Sequence, residues 1–184
     1  MNWKNTPDRY GSLSMAMHWL TLALLIGVYA CIELREFYPK GSDLREGLKT
    51  WHFMLGMSVF ALVFVRLAIR LATPSPQMSA QVAAWQRHLA LLMHVLLYAF
   101  LIAMPLFGWL TLSASGKPIP FFGLELPALV GPDKAFAGAV KEMHETIGTI
   151  GYYLVGLHAA AALYHHYFLR DDTLLRMLPR RRKG

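Results

Sequence analysis

The chain has little charge, few acidic residues and one cysteine. Charged residues fill 16% of its 184 positions and apolar residues 55%, whereas soluble domains run to about a quarter charged. The charge that is present leaves long gaps. Uncharged runs of 23, 16, 29 and 24 residues separate Arg9 from Glu33, Lys49 from Arg66, Arg87 from Lys117, and Glu145 from Arg170. A helix of about 20 apolar residues crosses a hydrocarbon core of about 30 Å. Three runs are long enough as they stand, and the second is long enough if Arg66 and Arg70 at its end snorkel to the headgroups. This argues against a soluble protein with buried helices. The single Cys31 cannot form an internal disulfide. The first apolar run is too long for a signal-peptide core of about 7–15 residues. Bulky Tyr29 also stands where a lipoprotein cleavage site before Cys31 needs a small residue.

The patterning predicts an all-α protein, a four-helix transmembrane bundle forming a single membrane domain over 1–184. Its helices are expected near 12–34, 47–71, 82–113 and 138–169, with a basic tail over 170–184. With the N-terminus in the cytoplasm, eleven Lys and Arg fall inside and seven outside, for net charges of +8 and −1. The positive-inside rule then predicts that both termini are cytoplasmic. The overall +7 reads as membrane topology rather than nucleic-acid binding. The tail residues Arg180 to Lys183 suit anionic lipid. Thr73-Pro74-Ser75-Pro76 reads as a short extended link. The Pro- and Gly-rich stretch 114–137 reads as an ordered, irregular cap with a short helix. Pro105 and Gly108 predict a kink in the third helix.

The eight histidines carry the chemical signal. A polar side chain at membrane depth is costly and points to function, although a single one can serve as a helix-to-helix hydrogen bonder. Here they sort by depth. On the fourth helix, His144 and His158 lie fourteen residues apart, which is about 21 Å and almost four full turns. They share one face at two levels. His52 on the second helix matches His144 in depth, and His18 on the first matches His158. Two imidazoles on facing helices can hold one haem iron from both sides, and such an iron has no open position and favours electron transfer. Gly56, Gly148 and Gly151 lie on the histidine faces, where a missing side chain lets a flat ring approach.

Other metal chemistry fits poorly. His144-Glu145 begins like a zinc-protease motif, but Gly148 stands where the second histidine is needed. Zinc also prefers short tetrahedral clusters. No Cys-x-x-Cys-His is present, which excludes covalent haem attachment. His165 continues the His158 stripe by seven residues and is a candidate to bond a quinone oxygen and carry its proton. His94 is a second candidate. His166 and its aromatic neighbours Tyr164, Tyr167 and Phe168 read as interfacial. His88 lies at the same end, with no role assigned.

Several segments together resemble the bacterial cytochrome b561 family. They are Met17-His18-Trp19-Leu20, His52-Phe53-Met54-Leu55-Gly56, Pro105-Leu106-Phe107-Gly108-Trp109, His144-Glu145-Thr146 and Gly156-Leu157-His158-Ala159-Ala160-Ala161. Tyr164-His165-His166-Tyr167-Phe168 and Asp172-Thr173-Leu174-Leu175-Arg176-Met177 extend the likeness over nearly the whole chain. The resemblance implies a multi-pass protein of the bacterial inner membrane with two non-covalent b haems. Its axial ligands fall on His18, His52, His144 and His158. It further implies a superoxide oxidase activity, in which superoxide at the periplasmic face gives electrons through the haems to ubiquinone and leaves as molecular oxygen. A positive approach would steer the superoxide anion, and Arg45, Lys49 and Lys141 are placed for that. They are equally placed to pair with haem propionates or with Glu46, Glu142 and Glu145. A second reading is an electron-transfer and anchor subunit for a separate dehydrogenase or hydrogenase, with Arg180 to Lys183 in docking. A transporter or structural bundle without cofactor leaves the depth-matched histidines unexplained.

Overall fold

The structure, a computed structural model, describes residues 3–7, 9–74, 76 and 83–179. Four long helices dominate it: α1 (Ser12–Leu34), α2 (Asp43–Ala72), α3 (Ala84–Ala114) and α4 (Lys134–Tyr164). Each is long and apolar enough to cross a membrane. Helices suit that setting because they satisfy their own backbone N–H and C=O groups where no water is present. The outer surface agrees, since Ile26, Phe64, Val65, Leu91, Leu92 and Leu157 are all exposed. So continuous an apolar surface belongs against lipid.

Two helices begin earlier than hydropathy predicts, and capping is the reason. The Ser42 hydroxyl accepts the Arg45 N–H, so α2 starts at Asp43 rather than near 47. Asp133 accepts the Phe136 N–H at 3.0 Å, so α4 starts at Lys134 rather than near 138. Both caps lie in charged stretches outside the apolar runs, and each satisfies an orphan donor of the first turn. The predicted start of α3 near 82 lies outside the described residues, as do Ser75 of the proline link and Arg180 to Lys183. α3 continues through Pro105 as one helix.

The cap between α3 and α4 holds a hairpin where a short helix was expected. β1 (Pro120–Phe121) pairs antiparallel with β2 (Leu124–Glu125). Phe122 and Gly123 turn the chain with φ of 48° and 85°, the left-handed pair that a two-residue hairpin turn needs. Trp109 Nε1–H donates to the Pro127 carbonyl at 2.9 Å, and the Leu129 N–H donates to Ser113 Oγ at 3.1 Å. These bonds hold the cap onto the bundle.

At the other end α4 widens into one π-helical turn, His165–Leu169, and stops at Arg170 with φ 54°. The next residues fold back over α1. Arg9 donates to the carbonyls of Leu175 and Leu178, and Trp19 Nε1–H donates to that of Met177 at 2.8 Å. The start of the predicted basic tail is thus a latch on the bundle.

Close helix packing runs from α1 to α2, α2 to α3 and α3 to α4. Among the described residues α4 does not pack closely on α1 or α2. Side chains bridge that wider seam: Tyr29 Oη–H donates to the Gly148 carbonyl at 2.8 Å, and Tyr152 Oη–H to Glu33 at 2.6 Å. The compact core sits at mid-height, where Val59 and Val63 of α2 meet Phe100 and Leu101 of α3. Gly151 belongs to this layer. A Cβ there would overlap the rings of Phe100 and Tyr29. Its missing side chain therefore admits two protein rings between the histidine levels, a correction to its expected role beside a cofactor. Forcing extra atoms into a filled core costs on the order of 1–3 kcal/mol. Gly151→Val is expected to lower the melting temperature in detergent by several degrees, while Gly138→Val, which meets open space, leaves it nearly unchanged.

Candidate cofactor site

Two histidine pairs meet across the wide seam. The ring centres of His52 and His144 are 6.1 Å apart, and those of His18 and His158 are 6.3 Å apart. A metal bonds an imidazole nitrogen at about 2 Å, and each ring centre lies about 1 Å behind that nitrogen. Two imidazoles on one metal therefore place their centres roughly 6 Å apart. Both pairs hold that spacing, at the two levels set by the fourteen-residue interval on α4.

Local contacts orient the rings. His52 Nδ1 lies 2.9 Å from the Val28 carbonyl. A carbonyl only accepts, so Nδ1 carries the proton and Nε2 keeps its lone pair for a metal. The His144 ring rests on α3 at Gly108, where an added Cβ would lie 3.5 Å from its Cε1. Its buried Nδ1 has no well-formed hydrogen bond, although the Met104 carbonyl one turn before Gly108 acts on it. Gly108, which sequence reasoning read with Pro105 as a source of a kink, also seats this ring. Gly56, one turn after His52, faces open space.

A third ring joins the His18–His158 level. His94 lies 5.7 Å from His158, with Nδ1 bonded to its own helix at Ala90. Spacing alone does not separate His94 from His18 as the partner of His158. His94 and His158 stand on α3 and α4, which pack closely, whereas α1, which bears His18, does not pack closely on α4 among the described residues. His18–His158 and His52–His144 each span helices held apart.

The cations of the loop end are engaged locally. Arg45, 8% exposed, donates to Glu36 and to the carbonyls of Arg35 and Tyr38. It braces the turn after α1, which makes it a poor steering group. Lys49 pairs with Glu46 at 2.6 Å and Lys141 with Glu145 at 3.2 Å, and both side chains are well exposed. Arg66 and Arg70, expected to snorkel, contact other groups of the bundle. Arg66 Nη2 lies 3.3 Å from His18 Nδ1, and both guanidinium groups stand on the Tyr98 ring at 6.0 and 5.8 Å.

Past α4, His165 Nδ1 bonds to the carboxylate of Asp171. Burial of Asp171 works to raise its pKa, but hydrogen bonds from His165 and Thr173 outweigh this and hold it below the usual value. Sequence reasoning missed Asp171, although its position two residues past the π-helical turn allows the bond. His166 stacks edge-on with Tyr167, and exposed His88 bonds back to Ala84. Among the described residues no three His, Cys, Asp or Glu side chains gather as a metal cluster.

Comparison with known proteins gives the class. Residues 9–180 match the prokaryotic cytochrome b561 family. Cytochrome b561 homolog 1 of Escherichia coli K12 is 39% identical over 95% of this chain and 99% of its own length. The probable superoxide oxidase CybB of Yersinia pestis is 35% identical over 95% of this chain and 98% of its own. Cytochrome b561 homolog 2 of Escherichia coli K12 is 32% identical over 97% and 95%. The chain belongs to the prokaryotic cytochrome b561 family. It is a haem b-binding, electron-transferring, multi-pass protein of the inner membrane. The residues present fit that group, because paired imidazoles stand at metal-bridging distance and the helices bearing the rings are held apart. Gly108→Leu is expected to push the His144 ring away and perturb the visible and electron paramagnetic resonance signals of bound haem, whereas Gly108→Ala leaves them intact.

Proposed function

We propose that the chain is a superoxide:ubiquinone oxidoreductase holding two b haems. One sits between His52 and His144, the other between His18 and His158. The observation that carries this reading is the pair of ring separations near 6 Å at two levels of one bundle. The Yersinia relative, named a probable superoxide oxidase, supports the donor. In this reading both termini are cytoplasmic, as the +8 against −1 charge bias favours. The His52–His144 level and the hairpin cap then face the periplasm.

Haem held between paired imidazoles would supply one-electron transfer. The net reaction balances as two superoxide anions, one ubiquinone and two protons giving two molecules of oxygen and one ubiquinol. The chain's own part is placement, charge and proton supply. Exposed Lys49 and Lys141 flank the periplasmic level and give a local positive rim despite their acidic partners. At the opposite end His165 is oriented by Asp171, so that Nδ1 is committed and Nε2 is free to hold a proton toward a quinone oxygen. His94 is the weaker quinone candidate, because it is turned onto His158.

The test is a visible spectrum of the purified chain on addition of superoxide, with dismutase as control. Haem bands should sharpen to the reduced form, dismutase should block this, and ubiquinone should then restore the oxidised spectrum. Superoxide-insensitive haem bands would move the assignment to an electron-transfer subunit of another dehydrogenase. His52→Ala and His158→Ala should each lose one haem of two by pyridine haemochrome assay. Charge reversal at Lys49 and Lys141 together should slow reduction by superoxide severalfold and weaken its salt dependence.

A further inference from the structure

Arg66 and Arg70 present an unbalanced charge. Both sit in α2 within a membrane-spanning segment, and both are half-buried. Among the described residues neither has a carboxylate partner within ion-pair distance. Their company is aromatic and basic. Tyr98 lies under both guanidinium groups, Arg66 is within electrostatic reach of His18, His94 and His158, and Arg70 is within reach of His94. Two cations and three imidazoles thus lie together with no carboxylate among the described residues at ion-pair distance from either arginine; Asp171 at the same end is engaged by His165. The loop end differs, because Glu36, Glu46 and Glu145 answer Arg45, Lys49 and Lys141. Uncompensated charge at this depth is expensive and calls for a counter-ion.

The hydrogen bond from Arg66 sharpens the point. A guanidinium only donates, so as it stands His18 Nδ1 must be the acceptor. An imidazole that binds iron through Nε2 carries its remaining proton on Nδ1 and seeks an acceptor there. When His18 ligates, Arg66 and Nδ1 are donor against donor, and Arg66 needs another acceptor.

We infer that Arg66 and Arg70 form the carboxylate-binding site for the propionates of the haem held by His18 and His158. Two planar donor forks match two carboxylates, and Tyr98 holds both forks on the same side of the bundle. Propionates bound there cancel both positive charges and relieve the clash at Nδ1. The inference rests on His18 being an iron ligand. The anionic chemistry is shared with a phospholipid headgroup, and the experiment must separate the two.

The measurements are haem content by pyridine haemochrome, the two haem potentials by redox titration, and phospholipid phosphorus per chain. The variants are R66Q, R66K, the double variant R66Q/R70Q and H18A. An unpartnered propionate favours ferric iron, so R66Q should shift one potential negative and leave the other in place. R66K should restore most of that shift. The double variant should retain the haem of that site at least about tenfold less tightly, as expected for losing charge-assisted hydrogen bonds. Apoprotein reloaded with haem dimethyl ester, which lacks the carboxylates, should show no such difference between wild type and double variant. Unchanged potentials and retention in the double variant would overturn the inference, as would a loss of phospholipid phosphorus with both potentials unmoved. A shift of both haems alike would also overturn it, since it marks a general structural effect. H18A separates the underlying reading: if it retains two haems, the ligand assignment fails, whereas loss of one haem leaves the arginine result to stand on its own.

Discussion

The organisation of this protein depends on keeping α4 at a distance from α1 and α2. In hydrocarbon, helices gain nothing from simple apolar association, because lipid tails are as good a neighbour as leucine. They come together where shape and polar groups reward it. Here α3 and α4 pack closely, while Tyr29 and Tyr152 bridge α4 to α1 through their hydroxyls and keep the two helices apart. The four paired imidazoles stand across that seam. Closing it would bring each ring pair into direct collision, and widening it would break the metal-bridging distance.

The middle of the bundle does different work from its ends. Phe100 and Tyr29 meet over Gly151, and Val59, Val63 and Leu101 complete a packed layer there. This layer stands between the two histidine levels and separates them into two compartments. The two histidine levels are therefore separated by packed side chains rather than joined by an open passage.

The ends are unlike each other. The His52–His144 level lies beneath a hairpin cap, with its cations and acids paired at the rim. The His18–His158 level has two arginines beside Tyr98, a third histidine and a C-terminal latch held by Arg9 and Trp19. With the proposed haem in place, positive charge near its iron would favour the reduced form, and a bundle symmetrical in histidines would become directional through its other charges. The His165–Asp171 bond adds a proton-holding group at the arginine-rich end, where the proposed acceptor would need one.

Local physics made much of this legible in the chain itself. Four apolar runs define four spans because hydrophobic transfer acts residue by residue. The interval from His144 to His158 puts both rings on one face because helical periodicity is local. The order of motifs from His18 to Met177 was enough to indicate the family. Caps at Ser42 and Asp133 moved helix starts outward, since short polar signals in charged stretches escape hydropathy. The tertiary structure decided the rest. It chose which helices pack and which stand apart. It set Arg66 and Arg70 beside Tyr98, gave Gly151 to two protein rings and Gly108 to His144, and used Arg45 to brace a turn. Each of these depends on residues far apart in the chain meeting in space, and neither composition nor period encodes that meeting.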